Sequence, residues 1–250
     1  MTVLTVFSAK GGCGASLVAT NLAVALARSA PTLLIDLHGQ GGTDDLLLDL
    51  RCTHAWPELL SVASELTERH IDLVACRHAE GLVLLAAPDS LPDHLLQDGR
   101  IRVLLEALGK RYAWVIIDTL SGAWDPSLAE MSDTILLVST ADPPALRCAK
   151  RLLQSRPQAA QGRIGLVLTQ ISRGHPASAS EVAASLECPL LAATPVDPRG
   201  VGYQINFGRP CVLDRQSPLG RGMTALARRV SAAGVRKPDV LSSAPPGRSR

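Results

Sequence analysis

Residues 8–16 read Ser8-Ala9-Lys10-Gly11-Gly12-Cys13-Gly14-Ala15-Ser16 and follow directly on the apolar run Val3–Phe7. Gly11, Gly12 and Gly14 let backbone N–H groups curl around an anion without Cβ clashes. A helix behind such a loop turns its N-terminal dipole toward the same anion. Residues 15–29 supply one, an alanine-rich stretch carrying Leu17, Leu22, Val24, Ala25 and Leu26 and closed by Pro31. Strand, loop and helix therefore occur in the order a phosphate cradle requires, with Lys10, Gly11, Gly12, Cys13, Gly14, Ala15 and Ser16 as its candidate contacts. A tight strand-to-helix connection that binds nothing has the same local pattern, so the rest of the chain must decide.

Two aspartates bear on that decision. Thr32–Ile35 reads as a buried strand ending in Asp36, and Trp114–Ile117 as another ending in Asp118. Ligands of open parallel sheets gather at the carboxyl ends of the strands, where acids meet Mg²⁺ or its water shell. Ser16, Asp36 and Asp118 are the candidate Mg²⁺ residues, the contacts partly through water. Each aspartate alone would serve equally as a helix cap or turn residue.

Apolar runs near 2–7, 32–36, 82–86, 113–118, 134–139, 163–169 and 190–194 alternate with helical patterns near 15–29, 57–66, 98–110, 142–155, 178–187 and 218–233. The alternation predicts an α/β fold with a mostly parallel central sheet flanked by helices on both faces. At 250 residues, 46% of them hydrophobic, the chain suits one such unit over 1–234. The Pro/Ser/Arg-rich segment 235–250 is expected to be a disordered basic tail.

An ordinary P-loop ends in Gly-Lys-Ser/Thr, and here Ala15 occupies the lysine position while Ser16 keeps the hydroxyl. Lys10 lies at the other end of the loop, and Lys-Gly-Gly-x-Gly resembles the deviant Walker A signature of the ParA/MinD superfamily of P-loop NTPases. That resemblance implies ATP or ADP with Mg²⁺, and a homodimer in which Lys10 reaches the partner's phosphates. Asp36-Leu-His38-Gly-Gln-Gly-Gly is similar to the family's switch I, with His38 where a second aspartate orients the attacking water. Asp118-Thr-Leu-Ser-Gly122 is similar to its Walker B and switch II, which makes Ser121 a loop residue. Gln170 stands nearest to the family's adenine-contacting amide, and Pro195-Val-Asp197-Pro198 resembles the loop bordering the base, although a simple turn explains it as well.

Three further segments resemble the CpaE/TadZ branch, which serves Flp (Tad) pilus assembly and often carries Gly-Ala-Ser in its loop. They are Gly41-Gly42-Thr-Asp-Asp-Leu-Leu-Leu-Asp-Leu50, Gly81–Pro88 and Ser217-Pro-Leu219. Ala55-Trp-Pro-Glu-Leu-Leu60 is similar to actinobacterial CpaE-like proteins, among them the septum site-determining protein Ssd. The resemblance implies a nucleotide-dependent dimeric switch that recruits pilus or secretion assembly components at a cell pole or septum. A ParA/MinD-type ATPase in chromosome partitioning or septum-site determination, with cell-division partners, is the first alternative. A nucleotide-free scaffold is the second.

Loss of the lysine weighs on catalysis more than on binding. Charge-assisted hydrogen bonds contribute about 1.5–3 kcal/mol each, and loss of a transition-state donor costs about 3 kcal/mol more. At about 1.36 kcal/mol per decade, turnover is expected to be slow or absent. His38 points the same way, because a neutral imidazole lacks a carboxylate's charge; we read it as an exposed switch-loop histidine rather than a general base.

The remaining composition narrows the function classes. Six cysteines without Cys-x-x-Cys spacing suit reduced core thiols better than disulfides or zinc ligands, and iron–sulfur roles are excluded. His54, His70, His78, His94 and His175 lack metal-ligand spacing and read as surface or capping residues. No apolar run reaches a membrane span and no basic leader is evident, so a cytoplasmic location is expected. Twenty-five basic against twenty-three acidic residues, with 3% aromatic, give little for nucleic acid. Arg147, Lys150 and Arg151, and Arg221, Arg228 and Arg229, fit solvated helix faces better than a nonspecific DNA surface. Leu219, Met223, Leu226 and Val230 share one face of the last helix, which suggests packing onto the domain rather than a membrane anchor.

Overall fold

The computed structural model describes residues 1–39, 41–90, 99–119, 124–172 and 174–234. Strands β1 (Thr2–Ser8), β2 (Thr32–Asp36), β3 (Cys76–Arg77), β4 (Val83–Leu85), β5 (Trp114–Asp118), β6 (Thr134–Thr140), β7 (Ile164–Ile171) and β8 (Leu190–Pro195) form one sheet in the order β3-β4-β2-β5-β1-β6-β7-β8. All neighbours are parallel except β3 and β4. Helices α1 (Ala15–Ala27), α2 (Asp44–Leu47), α3 (Glu68–Val74), α4 (Arg100–Leu108), α5 (Pro126–Met131), α6 (Pro143–Gln154), α7 (Ala179–Ser185), α8 (Pro198–Phe207) and α9 (Pro218–Gly234) connect and cover the strands.

The period of two along the strands divides the core between the faces. Leu4, Val6, Leu34, Ile116, Leu136 and Val138 pack with Val18, Leu22 and Leu26 of α1 and Leu219, Met223, Leu226 and Val230 of α9. Helix α9 thus buries the expected stripe. Val3, Leu33, Ile35, Val115 and Ile117 face the other way, onto Leu104 and Leu108 of α4 and Trp56 and Leu59. Phe7, Leu137, Leu166 and Leu168 cover the same side further along, beneath α6 and α7.

Helix α1 is apolar on nearly every side because it lies between sheet and α9, yet it buries Thr20 and Asn21 completely. Both are satisfied. Asn21 Nδ2 donates to Gln204 Oε1 at 2.6 Å, Asn21 Oδ1 accepts from Val212 N at 2.8 Å, and Gln204 Nε2 donates to Thr20 Oγ1 at 3.0 Å. The network clamps the helix behind the glycine loop to α8 and to the turn at 211–213.

The structure departs from the sequence reading in several places. The helix expected over 57–66 is a 3-10 run, Trp56–Glu65, since buried residues three apart suit either helix type. Helices α2, α3, α5 and α8 are too short or too polar to give a periodic signal, and β3 is a two-residue antiparallel edge. Cys52 and Cys76, expected as reduced thiols, are paired as a disulfide with Cα atoms 5.8 Å apart. The fold back of β3 onto β4 creates that proximity, which linear spacing does not reveal. Cys13, Cys148, Cys188 and Cys211 are free as expected. The tail at 235–250, Leu120–Gly122 of the switch II resemblance with Ser121, and His94 lie outside the described residues. Among the described residues, no helix is long and apolar enough to cross a membrane.

Candidate functional site

The glycine loop joins β1 to α1 at the carboxyl edge of the sheet. Gly12 and Gly14 have φ of 84° and 85°, the left-handed region in which an L side chain is strained, so backbone conformation requires glycine at both. Gly11 and Gly12 are exposed, and a Cβ at either would meet nothing within 4 Å. Neighbouring side chains hold the loop carbonyls. Ser8 Oγ donates to Lys10 O at 2.6 Å, Thr169 Oγ1 to Cys13 O at 2.7 Å, and Gln170 Nε2 to Gly12 O at 3.3 Å. Gly14 is the residue before the first turn of α1 and makes no side-chain cap, leaving that helix end to an anion. Ala15 is buried in the first turn, and Lys10 Nζ folds back onto Gly11 O at 3.3 Å.

Asp36 and Asp118 end adjacent parallel strands as register partners, and both side chains are buried. His38 lies over them: its Nδ1 is 2.7 Å from Asp36 Oδ1 and 3.7 Å from Asp118 Oδ2. The His38 backbone N–H also donates to Asp36 Oδ1, at 3.0 Å. The expectation of an exposed loop histidine is therefore corrected, since its side chain is 25% exposed and held by two acids.

Electrostatics here are those of acids crowded out of water. Burial pushes the Asp118 carboxyl up to about 7; the charge of His38, the nearby Ser16 hydroxyl and the Thr119 N–H pull it down, and the Asp36 charge adds to the rise. No hydrogen bond of normal length reaches either Asp118 oxygen. Burial works against the His38 cation, but its hydrogen bond to Asp36 and the charges of Asp118 and Asp36 outweigh this and raise it above the usual histidine value.

Asp44, to which the sequence reading gave no role, is the residue missed. It is fully buried, both its carboxyl oxygens lack partners, and its N–H donates to Asp36 Oδ2 at 3.3 Å. Burial and the charges of Asp118, Asp36 and Asp45 hold its carboxyl well above the usual range. Of the adjacent pair Asp44-Asp45 at the start of α2 only the first is buried, and one turn of helix gives no periodic signal to say which will be.

Beside the loop lies a cavity of about 420 Å³, within the usual range for small-molecule sites. It is lined by Gly12, Gly14, Gln170, Pro195, Val196 and Ile205 among others, so the glycine loop and both proposed base-bordering segments face one space. Gln170 takes a positive φ of 56° to reach it. Asp197 lines the cavity too, but its carboxylate is engaged internally: Oδ1 accepts from Gly200 N at 2.9 Å, and Oδ2 accepts from Ser217 Oγ and from Leu219 N. It caps α8 and ties that helix to α9.

The residues present fit a nucleotide with a divalent cation. The loop is a backbone cradle opening on an uncapped helix, and the buried carboxyls of Asp44 and Asp118 lack the hydrogen-bond partners that such groups normally have. The ligand atoms of Asp36, His38 and Asp118 all lie within 4.8 Å of one another. The remaining described histidines stay apart from this cluster; His70 caps α3 through Thr67 N, and His54 pairs with Glu58. Arg147, Lys150 and Arg151 are exposed on α6.

No protein-family model matches the chain. It is 26% identical over 252 residues to the septum site-determining protein MinD of Synechocystis, an alignment covering 96% of this chain and 93% of that protein. Among solved structures it superposes on a ParA family ATPase from Chlorobium tepidum with a TM-score of 0.80 at 20% identity, covering 92% of this chain and 98% of that one. It superposes on MinD from Pyrococcus horikoshii complexed with Mg-ADP with a TM-score of 0.76 at 20% identity, covering 95% and 99%. The eight-stranded sheet and its flanking helices are thus the fold of MinD and ParA P-loop proteins.

Proposed function

We propose that this chain is a MinD/ParA-type nucleotide-binding switch, working in septum-site determination or partitioning as a homodimer that binds ATP or ADP with a divalent cation. The single observation that carries the reading is the coincidence at one sheet edge of three features. They are the loop with its two left-handed glycines, the free start of α1, and the register-paired acids Asp36 and Asp118. The whole-length similarity to MinD supports the cellular role.

In this reading the backbone of Gly11–Gly14 and the start of α1 hold the phosphates, and Gln170 and Pro195 border the base. Ser16, Asp36 and Asp118 hold the cation directly or through water. The bound cation would neutralise phosphate charge. Lys10 is the one lysine of the loop, at its outer edge, and serves a partner protomer's phosphates if the dimer forms across this face. With Ala15 in place of lysine, turnover is slow or absent and occupancy carries the signal.

A second reading is favoured by specific residues. The Gly14-Ala15-Ser16 ending, Gly41–Leu50 with its buried Asp44, and the buried Trp56 of the Trp-Pro segment fit the CpaE/TadZ resemblance, and hence recruitment of pilus or secretion components at a pole or septum.

Calorimetry with Mg·ATP on the purified chain, read beside its oligomeric state, tests the nucleotide site. Binding with dimer formation supports the switch, whereas no binding and an unchanged oligomer leaves only a scaffold. Deletion in the source cell separates the two roles: misplaced septa support the first reading, and lost pili with normal division the second.

A further inference from the structure

We propose that Asp36, His38 and Asp118 form a binding site for a divalent transition-metal ion of the Mn²⁺, Co²⁺ or Zn²⁺ class, which this chain loads without nucleotide. The inference deepens the cation half of the proposed nucleotide site, and rests on that reading only for the use to which the bound ion is put.

The geometry is that of a mixed nitrogen and oxygen donor set. Three ligand atoms converge within 4.8 Å, with His38 Nδ1 at 2.7 Å from one carboxylate and 3.7 Å from the other. Two ligands each about 2.1 Å from one cation lie about 3.0 Å apart at an octahedral right angle and about 3.4 Å apart at a tetrahedral one. The observed separations bracket these values, so a cation seats with shifts of a few tenths of an ångström. It takes the Nδ1 lone pair and one oxygen from each acid, and the His38–Asp36 hydrogen bond gives way to two bonds to a common ion.

A second observation is independent of that clustering. Asp118 is fully buried and neither of its oxygens has a hydrogen-bond partner; the His38 imidazole, 3.7 Å from Oδ2, is the charged group beside it. Such an acid is costly unless something charged completes it. Among the described residues, no lysine or arginine forms an ion pair with Asp36, Asp44 or Asp118. Asp44, equally buried and unpartnered, stands next in line through its N–H on Asp36 Oδ2.

The donor chemistry selects the ion. Mg²⁺ prefers oxygen throughout and keeps its waters, whereas imidazole suits Mn²⁺, Co²⁺ and Zn²⁺ progressively better. With His38 as one of its three donors the site is not all-oxygen, and so discriminates against Mg²⁺. The site is also held in shape. A Cβ at Gly42 would fall 1.9 Å from Asp36 Oδ2, so the backbone there presses directly on the acid and fixes it. The His38 N–H bonded to Asp36 Oδ1 fixes the ring's root in turn.

The test uses the full chain, free of any affinity tag, stripped with chelator and desalted, with no nucleotide present. Mn²⁺ is the probe, because free thiols compete for Zn²⁺ but poorly for Mn²⁺. Electron paramagnetic resonance of free Mn²⁺ counts the bound ion, and Mg²⁺ competition measures preference. The expected result is one Mn²⁺ per chain, displaced by Mg²⁺ only at tenfold or greater excess, with nitrogen hyperfine modulation from His38. His38→Asp abolishes the nitrogen signal and cuts the preference over Mg²⁺ by tenfold or more. Asp118→Asn abolishes binding while circular dichroism stays native; if that variant does not fold, His38→Ala replaces it, with the same loss of nitrogen signal expected. Equal affinity for the two ions, or Mn²⁺ binding that His38→Ala leaves unchanged, overturns the proposal. Mg·ATP calorimetry on the same sample separates the failures, because nucleotide binding without Mn²⁺ preference sinks this inference alone, and Mn²⁺ loading without nucleotide binding sinks only the nucleotide reading.

Discussion

Asp36 and Asp118 are Cα register partners at the ends of β2 and β5, so the parallel pairing itself sets two buried carboxyls side by side. Adjacent like groups out of water oppose folding. The ligand-free site therefore stores cost that a cation relieves, as functional sites commonly do. Asp118→Asn is expected to leave the chelated protein at least as stable as the parent at neutral pH, with a gain of about 1 kcal/mol. Urea unfolding in chelator checks this. A loss of more than about 1 kcal/mol would mean the acid is structurally satisfied after all.

Ala15→Lys returns a cation to the first turn of α1, beside the open loop. One charge-assisted bond is worth about 1.5–3 kcal/mol, so nucleotide affinity should rise by about tenfold to a hundredfold. Isothermal titration with ADP and ATP measures it. Flat affinity would show that the loop does not hold phosphates.

Asn21 and Gln204 couple the loop helix to α8 through buried polar contacts. Asn21→Leu leaves the Val212 N–H unsatisfied and removes one of two donors to Gln204 Oε1, which keeps the Cys211 N–H, so a loss of about 1–3 kcal/mol is expected. The double variant with Gln204→Leu should lose less than the two single losses added together, because two halves of one network are not additive. Denaturant midpoints for the four proteins decide; strict additivity would dissolve the network.

Much of this was legible from the chain. Uninterrupted apolar strands such as Leu33–Ile35 and Val115–Ile117 declare a sheet buried on both faces, and the acids that follow them mark its carboxyl edge. Gly12 and Gly14 are where a left-handed backbone was needed. What stayed hidden depends on tertiary contact. The inward turn of Asp44 toward Asp36, the second acid over His38, and the tie of the Asp197 carboxylate to Ser217 and Leu219 are set by tertiary neighbours. The same is true of the contact between Cys52 and Cys76.

That disulfide closes a segment of 24 residues joining the loop after α2 to the sheet edge. In the chain-entropy account such a closure stabilises by about 3 kcal/mol, by restricting the unfolded chain. Thiol titration of the unfolded, unreduced protein should count the four free cysteines Cys13, Cys148, Cys188 and Cys211. Reduction should then lower the urea midpoint by an amount that Cys52→Ala/Cys76→Ala reproduces. Six reactive thiols before reduction would show that the pair does not form.

Asp142 caps α6, its Oδ1 accepting the Ala145 N–H at 3.1 Å and its Oδ2 the Thr140 hydroxyl. The Thr140 hydroxyl first, then the Ala145 N–H, hold this carboxyl below its usual value, with nearby Lys10 adding a little. A carboxyl whose folded value is lowered stabilises above its unfolded value of about 3.9, and that contribution fades as pH falls through the lower folded value. Asp142→Ala should therefore cost about 1 kcal/mol at pH 7, the usual worth of an N-cap, and progressively less in acid. Asp142→Asn keeps a neutral acceptor, so its offset from Asp142→Ala should not change with pH. Urea unfolding of the three proteins from pH 7 to pH 3 reads both slopes, and a constant gap between parent and Asp142→Ala would remove the charged cap from the account.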